Sequence, residues 1–262
     1  RSEAPAARRP PREVGPGRAL GLEDFLLNHL APRRPVVLRG GCRGWPAVDR
    51  WSRRDFWCDG AIGQRFVPVE IDYWLEEGFR LMTVRDFVEH CSSVEKLDTP
   101  PPGLSGGGYL AQHALFDQVP SLLADVLTPD FALCGPEGSL LRQVFFGPRG
   151  TATPLHTDPY ENIFCQVVGS KYVRLYSPSE TPRLYPRREG DQMQNNSTVE
   201  PADLLLGEAS GAYARDGPFG ALQDAEYVDA VLEPGDVLYL PRGWWHFVRS
   251  LSTSISVAFH FT

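Results

Sequence analysis

A series of short extended segments in the second half of the chain constrains its fold more than any other feature. From residue 141 onward, apolar and β-branched residues form short runs that are separated by turn signals such as Gly169-Ser170 and Pro234-Gly235. The predicted strands are residues 143–147, 155–160, 162–168, 171–176, 227–232, 237–240, 245–250 and 254–261. Eight such strands predict a mainly β fold, the double-stranded β-helix or jelly roll, whose interior can hold a small ligand.

The rest of the chain is predicted to flank this barrel. Residues 1–18, rich in Pro and Arg, are interpreted as a flexible N-terminal arm, and residues 19–140 as a helix and strand portion that packs on the barrel. Residues 141–262 are the predicted jelly-roll core, with a polar insertion at 177–226. The predicted flanking elements are helices over 20–30, from Thr83 onward, 109–116, 120–127 and 201–206, and strands over 35–40 and 66–71.

Composition narrows the class of partner. The net charge is −7, and residues 1–18 contribute five Arg against two Glu, so the acidic charge lies in the rest of the chain. An acidic body argues against a nucleic-acid surface, which needs a basic stripe, and suits a basic protein or peptide substrate. No apolar run approaches the roughly 18 residues of a membrane span. The five cysteines form no C-x-x-C pair, which favours free thiols in a reducing compartment, nuclear or cytoplasmic.

His156-Thr157-Asp158 is the pattern that points most directly to chemistry. In an extended strand residues i and i+2 share a face, so this imidazole and this carboxylate can hold one metal ion from the same side. Two His and one carboxylate on one face of an octahedron, with the opposite face open, suit a non-haem Fe(II) that activates oxygen. An isolated H-x-D is common, and most examples are not metal sites, so the interpretation depends on a third ligand.

Five other histidines compete for that third position. His246 is the best placed, because a turn at Gly235, an apolar strand, a corner at Pro241 and a returning strand bring it back beside the strand of His156. His29 and His90 lie on predicted helices and are expected at the surface or its boundary. The remaining rivals are His113 and His260. A lone His flanked by Trp is more often a core residue, but the two patterns in this order favour the metal interpretation.

A keto-acid co-substrate that chelates iron also needs a cation for its far carboxylate. Lys171 opens a predicted strand, where a Lys pointing into a barrel is otherwise a costly buried charge. The commoner fate of such a Lys is a solvated turn. Tyr109 and Thr153 are candidates to add hydroxyl donors to the same carboxylate, and Asn162 is predicted to share strand parity with Asp158.

With these residues identified, the chain resembles the Jumonji C family of Fe(II)- and 2-oxoglutarate-dependent oxygenases, which have a cupin-like jelly roll. The resemblance extends from about residue 34 to the end, and within the family it is closest to the type described both as arginyl hydroxylases and as lysine demethylases. The residues that match the family are 154–159, 162, 169–176 and 235–246. The residues that match this type in particular are 67–70, 81–84, 108–113, 115–118 and 146–148.

The resemblance implies a role for each matching residue. His156, Asp158 and His246 hold Fe(II). Tyr109, Thr153 and Lys171 bind the distal carboxylate of 2-oxoglutarate, and Asn162 lies near its chelating end. The family couples O2 and oxidative decarboxylation of 2-oxoglutarate, which yields succinate and CO2, to hydroxylation of a C–H bond. Glu70 matches a position that contacts the guanidinium of a substrate arginine, where a carboxylate is chemically apt.

The chain departs from its relatives at positions around the substrate. Phe145 stands where close relatives have Trp against the substrate side chain. The loop over residues 72–79 is shorter, which leaves Trp74 or Phe79 as a second aromatic wall. Ala258 replaces Ser or Asn, and His260 replaces Trp. The metal-binding residues are unchanged by these departures.

Three functions follow from the sequence. The first is a protein hydroxylase acting on Arg or another residue. The second is a histone N-methyl-lysine demethylase, or a hydroxylase of RNA, against which the acidic body counts. Demethylation begins with the same hydroxylation at an N-methyl carbon and leaves no separate mark in the sequence. The third is a non-catalytic jelly-roll binding module, which has no need of the three metal-ligating residues together with Lys171.

Overall fold

A computed structural model describes residues 11–15, 19–71, 78–95, 108–204, 214 and 216–262. The strands are β1 (Arg12–Val14), β2 (Val36–Leu38), β3 (Phe66–Glu70), β4 (Phe79–Thr83), β5 (Leu110–His113), β6 (Leu141–Gly147), β7 (Ala152–Thr157), β8 (Glu161–Val168), β9 (Lys171–Tyr176), β10 (Tyr227–Leu232), β11 (Val237–Leu240), β12 (Trp245–Ser250) and β13 (Ser254–Phe261). The α-helices are α1 (Leu22–Phe25), α2 (Pro46–Arg50), α3 (Arg54–Cys58), α4 (Gly60–Gly63), α5 (Val84–Glu95) and α6 (Leu115–Gln118). A π-helical turn (Leu26–Leu30) continues α1, and 3₁₀ helices cover Pro120–Asp125, Asp130–Leu133, Pro178–Arg183 and Gly220–Asp224.

Strands β6 to β13 build the predicted jelly roll. One sheet has the order β1-β2-β11-β8-β13-β6-β5 and the other β10-β9-β12-β7, so the chain crosses repeatedly from one sheet to the other. Among these pairs only β1 and β2 run parallel. Between the two sheets lies an apolar cluster, to which Phe164, Leu175 and Leu238 belong. The mainly β fold predicted from the sequence is therefore confirmed.

The strand predictions agree closely with the structure. Five of the eight barrel strands, β9 to β13, have the predicted bounds, and β6 and β8 begin one or two residues earlier than predicted. The exception is β7, which was predicted at 155–160 and covers Ala152–Thr157. Its start is fixed by pairing, since Ala152 lies opposite Arg249 of β12. Residues 158–160 form the turn into β8.

Part of the segment that was predicted to be a flexible arm belongs to the barrel sheet. Arg12–Val14 pairs with Val36–Leu38, and the amide of Arg39 donates to the carbonyl of Val14. Val14 is buried, and Glu13 forms an ion pair with Arg39. The arm prediction is wrong for these residues, while residues 1–10 and 16–18 lie outside the described part. The division of the chain at residue 140 stays a prediction.

The helical predictions in the N-terminal portion have mixed outcomes. The helix predicted over 20–30 is present as α1 and its π-helical continuation, and Thr83 Oγ1 accepts the amide of Asp86 at the start of α5, as the capping pattern predicts. The helix predicted over 109–116 is wrong for Leu110–His113, which forms β5 beside β6. The cause is long-range pairing: Tyr109 exchanges two backbone hydrogen bonds with Glu70.

The insertion between β9 and β10 covers the open edge of β7. The amide of Thr157 donates to the carbonyl of Asn195, and the amide of Ser197 donates to that of Leu155. Residues 201–204 are helical, and Leu184, Val199 and Leu204 of the insertion belong to one apolar cluster. Pairing of this kind satisfies the backbone groups of an edge strand. None of the described helices is both long and apolar enough to span a membrane.

Candidate metal centre

Three side chains that could hold a metal ion converge from two distant parts of the sequence. One ligand atom each from His156, Asp158 and His246 lies within 4.8 Å of the other two. The Nε2 atom of His156 is 3.8 Å from Oδ1 of Asp158, and the Nε2 atom of His246 is 3.6 Å from Oδ2. Donor atoms at these separations can share one cation.

Strand pairing explains how the two imidazoles meet. His246 of β12 lies directly opposite His156 of β7, and the ring centroids are 4.0 Å apart. Asp158 arrives differently from the sequence expectation. Since β7 ends at Thr157, Asp158 does not share a strand face with His156 but extends from the following turn. The amide of Gly243 donates to the carbonyl of Asp158 at 2.9 Å, which ties this turn to the corner before β12.

The backbone selects the nitrogen that each imidazole offers to a metal. Nδ1 of His156 is 2.8 Å from the carbonyl of Pro154, and Nδ1 of His246 is 3.1 Å from that of Trp244. A carbonyl can only accept, so each Nδ1 carries the proton and donates it, and each Nε2 keeps its lone pair facing Asp158.

Protonation at neutral pH also favours metal binding. Burial lowers the pKa of His246 to about 3, so its imidazole is neutral. Burial by itself opposes ionisation of Asp158, but its pKa lies below the ordinary value, because positive charge on the neighbouring His246 and His156 rings, whenever they hold a second proton, favours its ionised form. The donor set is thus two imidazoles and one carboxylate, which fits the two-His-one-carboxylate triad that holds Fe(II) in non-haem oxygenases.

The three side chains open into a cavity between the sheets. The space between its walls, including a part that is open to solvent, is about 490 Å³. Its lining combines a polar end with an apolar body. The lining residues are Tyr109, Gln112, Phe145, Thr153, His156, Asp158, Asn162, Phe164, Val173, Leu238, Leu240, His246, Val248 and His260.

Lys171 lies beneath this cavity as a buried cation. Its side chain is 1% exposed, and Nζ donates to the hydroxyl of Tyr109 at 3.3 Å. The rings of Tyr109, Phe145 and Phe164 surround Nζ, with centroids 5.4 to 5.7 Å away. Burial lowers the pKa of Lys171 to about 7, and no carboxylate of the described residues offsets this effect. The arrangement is costly unless an anion enters the cavity.

Two further residues with a predicted co-substrate role line the same space. Thr153 is on β7, three residues before His156. Asn162 is on β8, opposite Leu240 and His260, so its position results from sheet register and not from the predicted parity with Asp158. Its Oδ1 atom is buried and has no hydrogen-bond partner among the described residues, which is unusual for a native amide and points to a bound molecule.

The residues predicted to contact substrate have different positions relative to the cavity. Glu70 ends β3, and its two backbone hydrogen bonds with Tyr109, both 2.8 Å, put the two side chains on one face. Burial raises the pKa of Glu70 to about 7. Phe79 lies directly across from Glu70 on β4. Phe145 lines the cavity, but it packs over Lys171, and Trp74 lies outside the described residues.

The sequence analysis weighed His260 as a rival metal ligand and did not predict it as part of the cavity wall. Its ring lines the cavity and lies 5.8 Å from that of Tyr160, and burial lowers its pKa. The available signal was alternation along the last strand, which puts His260 on the same face as Ala258. Among the other histidines, His90 is exposed, but His29 is buried against Arg12 and the carbonyl of Arg34, so the expectation of a boundary position is wrong for it.

Comparison with known proteins agrees with this geometry. A family model described as a cupin-like domain matches residues 22–262. Lysine-specific demethylase 8 of Danio rerio is 39% identical over 95% of this chain and 58% of that relative. Lysine-specific demethylase JMJ30 of Arabidopsis thaliana is 37% identical over 92% of this chain and 52% of its own length. Jumonji C domain-containing protein 5 of Drosophila melanogaster is 32% identical over 92% and 58%.

The chain spans little more than half the length of these relatives. The match nevertheless includes the whole barrel, and it covers every residue of the metal triad and of the cavity lining. The chain therefore belongs to the cupin-like family of JmjC domains that its sequence resembles.

Proposed function

We propose that this domain is an Fe(II)- and 2-oxoglutarate-dependent protein hydroxylase that acts on an arginine side chain. The observation that supports it most is the pairing of two features in one cavity: a two-His-one-carboxylate triad near its mouth and the buried, uncompensated Lys171 beneath it. A dicarboxylate with a keto group satisfies both, because one end chelates a metal and the other neutralises a cation.

His156, Asp158 and His246 would hold the iron, and bound Fe(II) supplies the oxygen activation that couples decarboxylation of 2-oxoglutarate to hydroxylation. Lys171 and the hydroxyl of Tyr109 would bind the distal carboxylate, with Thr153 as a further donor. Charge-assisted hydrogen bonds of this kind are the strong ones, and Lys171 is buried from bulk solvent.

Other residues orient the co-substrate and exclude water. Asn162 can donate through its side-chain amide NH2 group to the chelating end. Phe164, Val173, Leu238 and Leu240 line the body of the cavity with apolar surface. A cavity lined this way strengthens each electrostatic contact inside it and limits side reactions with water.

The substrate class is proposed from Glu70. This carboxylate is half-buried, its pKa is raised by burial, and it shares a face with Tyr109. A guanidinium can pair with it through two parallel hydrogen bonds, which fixes the orientation of a target arginine. The predicted basic protein partner and a nuclear or cytoplasmic location belong to the same proposal, and the five free thiols are compatible with that location.

N-methyl-lysine demethylation is the second candidate. Two of the relatives carry the name of lysine-specific demethylases. The same hydroxylation at an N-methyl carbon releases the methyl group, and Glu70 can also attract an ammonium. A non-catalytic binding module is the weakest alternative, since an apolar side chain in place of Lys171 would serve a scaffold better.

Anaerobic titration with Fe(II), followed by succinate measurement with and without peptides, tests the proposal. We expect the parent to bind one Fe(II) and to form succinate, and His156→Ala to do neither. Arginine peptides should gain the mass of one oxygen atom. Loss of methyl groups from methyl-lysine peptides, with arginine peptides unchanged, would establish the second candidate in place of the first.

A further inference from the structure

The hairpin of β3 and β4 exposes large apolar side chains on one face. Phe66 is 57% exposed, Phe79 55% and Leu81 67%, whereas Val67 and Val69 on the opposite face are buried in the core. Most native strands with one solvated face carry polar residues there. We call the row formed by Phe66, Pro68, Leu81 and Phe79 the hairpin stripe.

Strand register makes the hairpin stripe continuous. Pro68 lies opposite Leu81, and Glu70 lies opposite Phe79, so these side chains share a face with Phe66 two residues further back. At about 3.3 Å per residue, the row from Phe66 to Glu70 is roughly 13 Å long. The burial pattern of β3, exposed or intermediate at 66, 68 and 70 and buried at 67 and 69, agrees with this alternation.

The hairpin stripe ends beside Tyr109, a residue of the cavity wall. Glu70 is joined to Tyr109 by a pair of backbone hydrogen bonds, and Tyr109 is a wall of the cavity and the hydrogen-bond partner of Lys171. The apolar side chains of the stripe, the half-buried carboxylate of Glu70 and the cavity-lining Tyr109 therefore follow one another on paired strands. A molecule that follows them must be apolar over most of its length and cationic where it meets Glu70.

We propose that the hairpin stripe docks an apolar segment of the protein substrate, next to the basic residue that reaches Glu70. This inference rests on the proposed function and adds a sequence preference to it. A polypeptide lying extended on the stripe presents alternate side chains to it. The substrate then has large apolar residues two and four positions from its basic residue, on one side of it.

Charge complementarity favours this occupant over a purely apolar one. Glu70 is the acidic group at the end of the stripe, and its raised pKa reflects burial without a cation beside it among the described residues. A basic residue followed by alternate apolar side chains matches both parts of the surface at once. Contiguous exposed apolar surface of this kind is characteristic of interaction sites.

Peptide binding under conditions that prevent turnover tests the inference. The probes are fluorescent 13-residue peptides with a central arginine, carrying either Leu or Ser two and four positions to one side. They are titrated, without oxygen, into the protein loaded with Fe(II) and 2-oxoglutarate. Each pair is made with the two residues either before or after the arginine. For the side that binds better, we expect the Leu peptide to bind about tenfold more tightly than the Ser peptide, since two apolar side chains become buried.

Substitutions on the stripe should remove this difference. Leu81→Ser and Phe66→Ser are expected to weaken binding of the Leu peptide about tenfold and to leave the Ser peptide unchanged. Leu127→Ser is the matched control, because Leu127 is 65% exposed and lies off the hairpin, and it should change neither. Thermal melting verifies that the variants fold. The inference is overturned if the parent binds the Leu and Ser peptides equally well. It is also overturned if Leu127→Ser loses as much affinity for the Leu peptide as the stripe variants do.

Two further readouts separate this inference from the proposed function and from self-association. Succinate formation without peptide reports on the cavity, and stripe variants should leave it unchanged. If the parent forms no succinate but still prefers the Leu peptide, the proposed function fails and the docking surface stands. If it forms succinate but shows no preference for the Leu peptide, the docking surface fails and the proposed function stands. A parent dimer that Leu81→Ser dissociates would make the hairpin stripe an interface between copies and would overturn the inference.

Discussion

His246 of β12 lies directly opposite His156 of β7, and both Nε2 atoms face the carboxylate of Asp158. Antiparallel pairing thus supplies two of the three donors, and the corner at Gly243 holds the third by a backbone hydrogen bond. Because the donors are fixed by sheet register and by carbonyl contacts, little ordering entropy remains to be lost when a cation binds.

Loss of the carboxylate should abolish metal-linked stabilisation. A ligand at 100 times its Kd stabilises the folded state by about 2.7 kcal/mol, which corresponds to a Tm increase of roughly 5 °C or more for a chain of this size. We expect Fe(II), added without oxygen, to raise the Tm of the parent by that amount and to leave the Tm of the Asp158→Asn variant unchanged. Differential scanning calorimetry measures both. An equal Tm increase in the variant would exclude Asp158 as a ligand.

Lys171→Met should strengthen the fold and weaken the site. The lysine pKa is lowered from 10.5 to about 7 by burial, so the unfolded chain holds more protons between these pH values. The cost of burying the charge is therefore fully present below pH 7 and declines as pH rises toward 10.5. We expect the variant, without 2-oxoglutarate, to be more stable at pH 7 by a few kcal/mol, in order of magnitude.

The same variant should lose most of its affinity for 2-oxoglutarate. Isothermal titration with Fe(II) present is expected to show a Kd at least tenfold higher than that of the parent, because a charge-assisted contact is absent. Fe(II) binding serves as the control and should be unchanged. A variant that binds 2-oxoglutarate as the parent does would remove Lys171 from the co-substrate site.

The sequence predicted the barrel well because its signals are local. Turn residues such as Gly169, with a φ of +66°, and the alternation of apolar residues determine the strand bounds from β9 onward. The errors in the predicted secondary structure arise where a distant pairing partner determines whether a segment forms a strand. Leu110–His113 becomes a strand because of β6 and Glu70, and Arg12–Val14 because of β2, and no local pattern reports either contact.

The convergence of His156, Asp158 and His246 was likewise predictable, and the cavity wall was only partly so. His156, Asp158 and His246 stand in recognisable motifs, although Asp158 takes its position from a turn. His260 enters the site through its register with Asn162, which depends on a bulge-containing pairing between β13 and β8. Register of that kind is set by the assembled sheet and cannot be read from one segment.

Gly147→Ala should disturb the co-substrate site through Tyr109. A Cβ atom at this position would lie 2.7 Å from Cδ2 of Tyr109 and 2.9 Å from Oγ1 of Thr151, so the tyrosine ring must move. We expect the Kd for 2-oxoglutarate to rise severalfold, with a modest loss of Tm. Gly44→Ala is the matched control, since nothing lies within 4 Å of its added Cβ. Equal effects of the two substitutions would contradict this role for Gly147.

Activity should depend on pH in opposite ways through Glu70 and Lys171. Burial raises the pKa of Glu70 to about 7, so its carboxylate ionises, and attracts a cationic side chain, as pH rises from 6 to 8. Burial lowers the pKa of Lys171 to about 7, so its ammonium loses its proton, and its hold on a carboxylate, over the same range. We therefore expect kcat/KM with an arginine peptide, at low 2-oxoglutarate, to follow a bell-shaped pH profile centred near 7.

Saturating 2-oxoglutarate should move the alkaline limb of this profile to higher pH, because a bound anion stabilises the charged lysine. In the pH profile of Glu70→Gln, the acidic limb that this carboxylate produces should be flattened, whereas the alkaline limb should be unchanged. A Glu70→Gln profile with the same acidic limb as the parent would show that another group controls it.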